Sequence, residues 1–209
     1  MRVLIADDHP VVRHGLKQML SQEADLTVVG EARDGNEVME LSGRVPWDVA
    51  VLDYHMPGKN GLELVKELHQ RYPGRSVLIL SMYPEDTYAI RALKAGAAGY
   101  LTKESAPEDL VAAIRKVAAG GKYITPALGE RLALDLEDNR GALSHEMLSD
   151  REYQILWMIV SGKALTQIGQ ELQLSPNTVS TYRARILRKM GMKNNAELLH
   201  YAIQHRLVT

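Results

Sequence analysis

The stretch that decides the fold is Val49-Ala50-Val51-Leu52-Asp53-Tyr54-His55-Met56-Pro57-Gly58. A short apolar run, residues 49–52, ends at the carboxylate of Asp53, and a Pro-Gly turn follows. Because every position of the run is apolar, it predicts a strand that is buried on both faces of a parallel sheet. Asp53 would then lie at the edge where open α/β sheets hold their ligands. Taken alone, Asp53 is better explained as a residue that caps a turn.

Strand-like and helix-like segments alternate on both sides of this stretch, from residue 1 to residue 122. Strands are predicted at residues 3–6, 27–32, 48–52, 77–80 and 99–101, and helices at Pro10, Asp34, Gly61, Pro84 and Ser105. Ser105 and Glu108 are expected to form a capping box for the last of these helices. Five such units predict an α/β fold with a doubly wound, five-stranded parallel sheet.

Polar side chains follow four of these strands at their C-terminal ends, namely Asp7, Asp8, Asp53, Ser81 and Lys103. Because the C-terminal ends of parallel strands meet at one edge of the sheet, these side chains are expected to converge. Three carboxylates repel one another, and Mg²⁺ is a cation that would relieve the repulsion. Lys103 and Ser81 could then bind phosphoryl oxygens, with Asp53 as a nucleophile that forms an acyl phosphate.

The composition excludes several classes of protein. The chain has no cysteine, which rules out disulfides and thiolate chemistry. Its longest apolar run, Ile155 to Val160, is six residues, too short to span a bilayer. The apolar run at residues 3–6 is too short for a signal peptide. We therefore expect a cytoplasmic protein without a membrane partner.

Charge is distributed unevenly along the chain. Residues 147–209 carry eight Lys and Arg against four Asp and Glu, whereas residues 123–146 carry two against five. A basic segment behind an acidic spacer favours a separate module with a polyanionic partner. The spacing of Leu128, Leu132 and Leu136 predicts a short connector helix, and the polar residues 137–141 are expected to form a tether. The predicted organisation is a domain at 1–122, a linker at 123–146 and a second domain at 147–209.

The last segment has the pattern of a small all-α domain of four helices. Ser149 and Glu152 predict a capping box for the first helix, Ser175 with Pro176 predicts the start of the third, and Asn194 or Asn195 that of the fourth. The second and third helices are joined by a tight turn, and the third is basic. This is the pattern of a helix-turn-helix, whose second helix enters the major groove of DNA.

The third helix predicts a DNA-contacting surface opposite its buried stripe. The residues expected to face DNA are Asn177, Ser180, Thr181, Arg183, Ala184, Arg185, Arg188 and Lys189. Such a run of charged residues is more commonly the solvated face of a small helical bundle. The caps, the turn and the one-sided arginine cluster favour DNA.

Residues 1–122 resemble the receiver domain of two-component response regulators, which has a flavodoxin-like fold. The matching motifs are residues 4–9 (Leu-Ile-Ala-Asp-Asp-His), 51–53 with 56–58, Ser81, and 99–103 (Gly-Tyr-Leu-Thr-Lys). The resemblance implies that a sensor histidine kinase phosphorylates Asp53. It implies that Asp8, Asp53 and the backbone carbonyl of His55 bind Mg²⁺, with Asp7 nearby. It also implies that Ser81 and Tyr100 form the switch pair, beside Lys103 at the phosphoryl group.

Residues 147–209 resemble the LuxR-type DNA-binding domain, on the motifs at 148–152, 174–179 and 197–202 together with Ile168. The whole chain is thus similar to NarL/FixJ-type response regulators. This implies double-stranded DNA with an inverted repeat as a partner, a homodimer through Leu198, Leu199 and Ile203 when phosphorylated or DNA-bound, and RNA polymerase as a further partner. Ser180-Thr181-Tyr182 replaces the common Lys-x-His, so the base preference of the family does not transfer. Gly169 replaces a usual alanine and is expected to weaken its helix by about 1 kcal/mol.

These observations predict a phosphorylation-activated transcriptional regulator that is not an enzyme, beyond catalysing its own phosphorylation and dephosphorylation. One alternative is a metal-dependent hydrolase or phosphotransferase with Asp53 as the nucleophile. No substrate-covering insertion or general acid near Asp53 supports that alternative, and it leaves the basic module without a role. A purely structural adaptor is the other alternative, and the acidic cluster argues against it.

Overall fold

The computed structural model describes residues 1–56, 61–83, 85–137, 144–205 and 207–208. The chain divides into two compact units, Met1–Leu136 and Glu137–Thr209. Three predicted features lie outside the described residues: the turn at Pro57 and Gly58, the helix start at Pro84, and the part of the tether at residues 138–141.

The first unit confirms the predicted five-stranded parallel sheet. Its strands are β1 (Arg2–Ala6), β2 (Thr27–Ala32), β3 (Val49–Asp53), β4 (Ser76–Ser81) and β5 (Gly99–Thr102). Five helices alternate with them: α1 (Pro10–Ser21), α2 (Gly35–Arg44), α3 (Gly61–Arg71), α4 (Glu85–Ala95) and α5 (Pro107–Ala118). The strand order is β2-β1-β3-β4-β5, and every pair is parallel. The order places β1 and β3, which carry the aspartates, side by side.

Both faces of the sheet are covered, which explains the uninterrupted apolar strands. Val3, Ile5 and Val51 pack in one cluster with the buried residues of α1 and α5. Leu4 and Leu52 alternate with them and are also buried, on the face that α2, α3 and α4 cover. Each fully buried aliphatic side chain contributes about 1.5–3 kcal/mol. The central strands are therefore held rigidly, and so are the residues at their ends.

The expected capping box at Ser105 and Glu108 is wrong. Ala106 is the N-cap of α5, makes no side-chain cap bond, and is followed by Pro107 at the first helical position. Proline fixes the backbone angle that a first helical residue needs, so the helix begins one residue later than the box requires. The Ser105 hydroxyl instead contacts the Thr102 hydroxyl at 3.2 Å.

The chain beyond α5 returns along the outer edge of β5. The backbone N–H of Tyr123 donates to the carbonyl of Ala98 at 2.8 Å, and Tyr123 forms a parallel bridge with Gly99. The predicted connector helix follows as α6 (Pro126–Glu137). Leu128 of α6 is buried, and the Thr125 hydroxyl donates to Glu85 Oε2 at 2.6 Å. The compact first unit thus extends to Leu136.

The second unit contains the four predicted helices after a short 3₁₀ turn (Ser144–Met147). They are α7 (Asp150–Val160), α8 (Leu165–Glu171), α9 (Pro176–Met190) and α10 (Asn195–Gln204). The predicted capping box of α7 is present, and the side chains of Ser175 and Asn194 cap α9 and α10. Within the described ranges, no helix has both the length and the apolar character needed to cross a membrane.

Candidate functional site

Three carboxylates meet at the C-terminal ends of β1 and β3. Ala6 is in register with Leu52, so Asp7 and Asp8 follow β1 at the level where Asp53 ends β3. Asp7 is 1% exposed and Asp53 is 3% exposed, whereas Asp8 is partly exposed. One ligand atom from each of these three residues and one from His9 all lie within 4.8 Å of one another. This cluster of Asp7, Asp8 and Asp53 is the acidic pocket.

Lys103 supplies the positive charge that the sequence predicts for this pocket. Its Nζ lies 2.6 Å from Asp7 Oδ2 and 2.8 Å from Asp53 Oδ2, and its side chain is only 8% exposed. The backbone N–H of Lys103 donates to the carbonyl of Ser81 at 2.7 Å, which fixes the start of the segment after β5. The ammonium therefore lies between two carboxylates.

One ammonium does not neutralise the acidic pocket. Burial, together with the charge of Asp7, raises the pKa of Asp53 to about 6, although Lys103 opposes the shift. Burial would lower the pKa of Lys103, but its bonds to Asp53 and Asp7 outweigh burial and the pKa is raised. With three carboxylates and one ammonium, the pocket carries an excess of negative charge. A hard divalent cation with oxygen ligands fits this donor set.

The backbone after β3 also faces the pocket. The N–H of His55 donates to Asp53 Oδ1 at 3.1 Å, which orients the carboxylate. The imidazole of His55 packs between the rings of Tyr54 and Tyr83, with ring centroids 4.7 and 4.5 Å away. The carbonyl of His55, expected to be a metal ligand, belongs to the same short segment and stays a prediction.

The two residues predicted as a switch pair are both buried and both contact Tyr83. The Tyr100 hydroxyl donates to the carbonyl of Tyr83 at 2.9 Å, and the N–H of Tyr83 donates to Ser81 Oγ at 3.1 Å. Burial raises the pKa of Tyr100, so its hydroxyl stays protonated and a donor. Ser81, Tyr83 and Tyr100 therefore form one connected group beside Asp53.

Sequence reasoning missed two contributors to this pocket. Arg13 of α1 donates from Nη1 to the carbonyl of Asp7 at 2.6 Å and so fixes the turn that carries the aspartates. Tyr83 links Ser81 to Tyr100 through its backbone N–H and carbonyl, although it belongs to no motif noted in the sequence. The contact of Arg13 could have been expected, because Arg13 lies in the first turns of α1, just after the aspartates. The role of Tyr83 could not, because it follows only from the packing of two loops.

The second unit places α8 and α9 as a helix-turn-helix. Leu174 donates its N–H to the carbonyl of Gly169 at 2.8 Å, and Gln173 in the turn has a φ of 54°. A Cβ at Gly169 would lie 2.8 Å from the carbonyl oxygen of Leu174, so the turn approaches the helix too closely for a side chain. On α9, Val179, Ile186 and Met190 are buried and hold the helix against the domain.

The residues predicted to contact DNA lie on the outer side of α9. All are exposed except Arg183, which is half-buried: Asn177, Ser180, Thr181, Ala184, Arg185, Arg188 and Lys189. Two of the basic residues have partners within the domain. Arg183 Nε donates to Asn195 Oδ1 at 2.6 Å, and Lys189 Nζ lies 2.6 Å from Glu152 Oε2. Lys189 thus already binds a carboxylate that sequence reasoning did not assign to it.

Glu152 is a buried carboxylate that joins two helices. It accepts from the N–H of Ser149 in the capping box of α7 and from Lys189 of α9. Burial would raise the pKa of Glu152, but the bonds from Lys189 and Ser149 outweigh burial and the pKa is lowered. The charge on Glu152 therefore contributes to the packing of α9 against α7.

The three residues predicted for dimerisation differ in exposure. Leu199 is 41% exposed and Ile203 is 58% exposed, so both are available on the surface of α10. Leu198 is 0% exposed, so the expectation that it contacts a second copy is wrong. It faces the core because α10 packs against α7, and Leu199, one residue further along the helix, points to another face.

Comparison with known proteins identifies the family of each unit. Residues 3–115 match the family described as response regulator receiver domain, and residues 146–202 match bacterial regulatory proteins of the luxR family. The response regulator GacA of Pseudomonas aeruginosa is 38% identical over 209 residues, which cover 100% of this chain and 98% of GacA. The response regulator UvrY of Escherichia coli is 36% identical over 208 residues, or 99% of this chain and 95% of UvrY.

A solved structure extends the similarity to a DNA complex. RcsB from Salmonella enterica serovar Typhimurium, bound to promoter rprA in the presence of the phosphomimetic BeF3⁻, is 28% identical with a TM-score of 0.62. The match covers 96% of this chain and 98% of that chain. The chain therefore belongs to the two-component response regulators of the NarL/FixJ type, in which a receiver domain precedes a LuxR-type DNA-binding domain.

Proposed function

We propose that a histidine kinase phosphorylates Asp53, and that this phosphorylation controls dimerisation and binding of the second unit to inverted-repeat DNA. The observation that carries the proposal is the acidic pocket, where the ammonium of Lys103 lies between the buried carboxylates of Asp7 and Asp53. In the transfer, an oxygen of Asp53 bonds to phosphorus while the bond from phosphorus to the kinase histidine breaks. The domain boundaries at residues 122 and 147 belong to the same proposal.

Asp8, Asp53 and the carbonyl of His55 are the residues that we propose to hold Mg²⁺, with Asp7 close by. The ion would neutralise charge on the incoming phosphoryl group. Lys103 would exchange a carboxylate for a phosphoryl oxygen without moving far, since its Nζ already lies 2.8 Å from Asp53. The Ser81 hydroxyl, held by the N–H of Tyr83, is the second donor available to that group.

Communication between the pocket and the rest of the receiver would run through Tyr83. When the Ser81 hydroxyl turns toward a phosphoryl oxygen, it gives up the N–H of Tyr83, whose carbonyl holds Tyr100. The segment between β4 and α4 is thereby biased toward a second arrangement. We propose that this change alters the surface through which the receiver controls the second unit.

Binding to genomic DNA fragments tests the proposal, with and without acetyl phosphate and Mg²⁺, over a salt series. Wild type is expected to bind more tightly after phosphorylation, with affinity that falls steeply as salt rises. Asp53→Ala is expected to bind equally with and without the phosphodonor. Glu40→Ala, at an exposed carboxylate on α2, is the control and is expected to respond like wild type.

Two results would contradict the proposal in different ways. An Asp53→Ala variant that still responds to acetyl phosphate would remove Asp53 from the scheme. Wild-type binding that does not change on phosphorylation would leave the DNA-binding unit intact but uncoupled from the receiver. Turnover of small phosphate esters would instead favour a hydrolase.

A further inference from the structure

His9 lies beside the acidic pocket, and neither the fold nor the motifs give it a role. It immediately follows Asp7 and Asp8 and occupies the N-cap position of α1, yet its side chain makes no cap bond. Its backbone N–H donates to Asp7 Oδ1 at 2.9 Å, so the residue is fixed to the pocket through the main chain. The side chain of His9 is 67% exposed, beside Asp8.

The imidazole nitrogen lies at the spacing of neighbouring metal ligands. His9 Nδ1 is 2.7 Å from Asp8 Oδ1 and 3.3 Å from Asp7 Oδ1. Two ligands that each bind an ion at about 2.0–2.1 Å and at right angles to one another are separated by about 3 Å. The nitrogen and the two oxygens therefore need only small movements to share one cation. Among the described residues, His9 is the histidine whose ring nitrogen lies within 4.8 Å of a carboxylate oxygen of each of Asp7, Asp8 and Asp53.

We propose that His9 is an imidazole ligand of this cation site, and that it makes the site prefer Ni²⁺, Co²⁺ and Zn²⁺ to Mg²⁺. The inference rests on the cation site of the proposed function. Carboxylates and water suit Mg²⁺, whereas an imidazole nitrogen raises the affinity for borderline transition metals. Because the ring is largely exposed, it can leave the coordination sphere when Mg²⁺ binds with water in its place.

Calorimetric titration with Ni²⁺ and with Mg²⁺ measures the preference in the full chain. His9→Gln is expected to lower the affinity for Ni²⁺ about tenfold or more while changing that for Mg²⁺ about twofold or less. His14→Gln is the matched control, because His14 is an exposed histidine on α1, five residues after His9. It is expected to bind both ions like wild type.

Proton NMR of bound Co²⁺ tests the bond itself. Wild type and His14→Gln are expected to show strongly shifted ring-proton signals from a coordinated imidazole, and His9→Gln is expected to lose them. Co²⁺ that binds to wild type without these signals would overturn the role of His9 and leave the cation site standing. Equal losses of Ni²⁺ and Mg²⁺ affinity in His9→Gln would overturn the preference.

Asp8→Asn separates failure of this inference from failure of the site that it needs. This variant is expected to weaken the binding of Ni²⁺ and Mg²⁺ alike, because Asp8 is proposed to bind either ion. If Asp8→Asn changed neither affinity, the cation site would not involve the acidic pocket, and the role of His9 would fall with it.

Discussion

Asp53 lies in surroundings that disfavour its own charge when no cation is bound. Its pKa rises from an ordinary 3.8 to about 6, because burial and the charge of Asp7 outweigh the attraction of Lys103. Between these two values the folded state binds more protons than the unfolded state. The free energy of unfolding therefore falls as the pH rises through this range, and the full cost of the charge is present above it.

Asp53→Asn keeps the shape of the side chain and removes the charge. In EDTA at pH 8, we expect it to raise the free energy of unfolding by about 1–3 kcal/mol, with little gain at pH 4. Urea unfolding at both pH values measures the difference, and Glu40→Gln on exposed α2 is the control. A gain that does not depend on pH, or a loss at pH 8, would show that the buried charge is not the cause.

Gly169 shows how helix propensity and packing compete at a single residue. Alanine favours helices by about 1 kcal/mol over glycine. The structure opposes the gain, because a Cβ here would meet a backbone oxygen at 2.8 Å, and backbone cannot turn aside as a flexible side chain can. The sequence-based expectation that glycine is the weaker choice here therefore omits the larger effect.

Gly169→Ala is accordingly expected to destabilise the second unit, by about 1–3 kcal/mol as for other overpacked sites. Gly15→Ala is the control, because Gly15 lies inside α1 and nothing within 4 Å would contact its Cβ. Thermal unfolding should show a loss for the first variant and a small gain for the second. A gain in both would mean that the turn relaxes easily around the new methyl group.

At the scale of helices, two neighbouring basic residues of α9, Arg188 and Lys189, have different surroundings. Arg188 is exposed, whereas Lys189 binds Glu152, which is 4% exposed and also caps α7. Removing the lysine leaves a buried carboxylate with fewer donors, and such a loss costs about 1–3 kcal/mol. Lys189 is thus expected to hold α9 in place more than to bind a phosphate.

Comparison of Lys189→Ala with Arg188→Ala separates the two roles. Arg188→Ala should reduce the slope of log affinity for DNA against log salt by about 1 and leave stability unchanged. Lys189→Ala should lower the stability of the second unit and change the slope less. The slopes come from anisotropy titrations at several salt concentrations, and the stabilities from urea unfolding. A larger slope change for Lys189 would contradict the assignment.

Local rules account for most of the elements and for the carboxylates of the site. Strand ends, caps at Ser149, Ser175 and Asn194, and the convergence of the aspartates follow from periodicity and from the parallel sheet. The wrong cap at Ser105 also has a local cause, because Pro107 takes the first helical position and makes Ala106 the N-cap. The pairing of Lys189 with Glu152 could not be predicted in this way, since the two residues are 37 positions apart and meet only through packing.

For the whole molecule, α10 is the surface that we propose for pairing two copies on DNA. Ile203→Glu places a charge on an exposed residue, and we expect it to abolish cooperative binding of two copies while leaving unfolding unchanged. Leu198→Ala removes a fully buried side chain and is expected to destabilise the domain by about 2–5 kcal/mol. Analytical ultracentrifugation with DNA measures the pairing of two copies, and thermal unfolding measures stability, so together they distinguish the effects of the two variants. Unimpaired pairing in Ile203→Glu would exclude this face.

The pairing of Tyr123 with β5 bears on where the chain can be truncated or fused to another domain. β5 is the last strand of the sheet, and Tyr123 pairs with its outer edge before α6 begins. A receiver severed at residue 122 would present that edge to other molecules, and open edges recruit foreign strands into aggregates. A fusion joint placed after residue 137 keeps the edge covered. We therefore expect the segment after α5 to protect the solubility of the receiver, and a receiver transplanted by itself to need at least Tyr123.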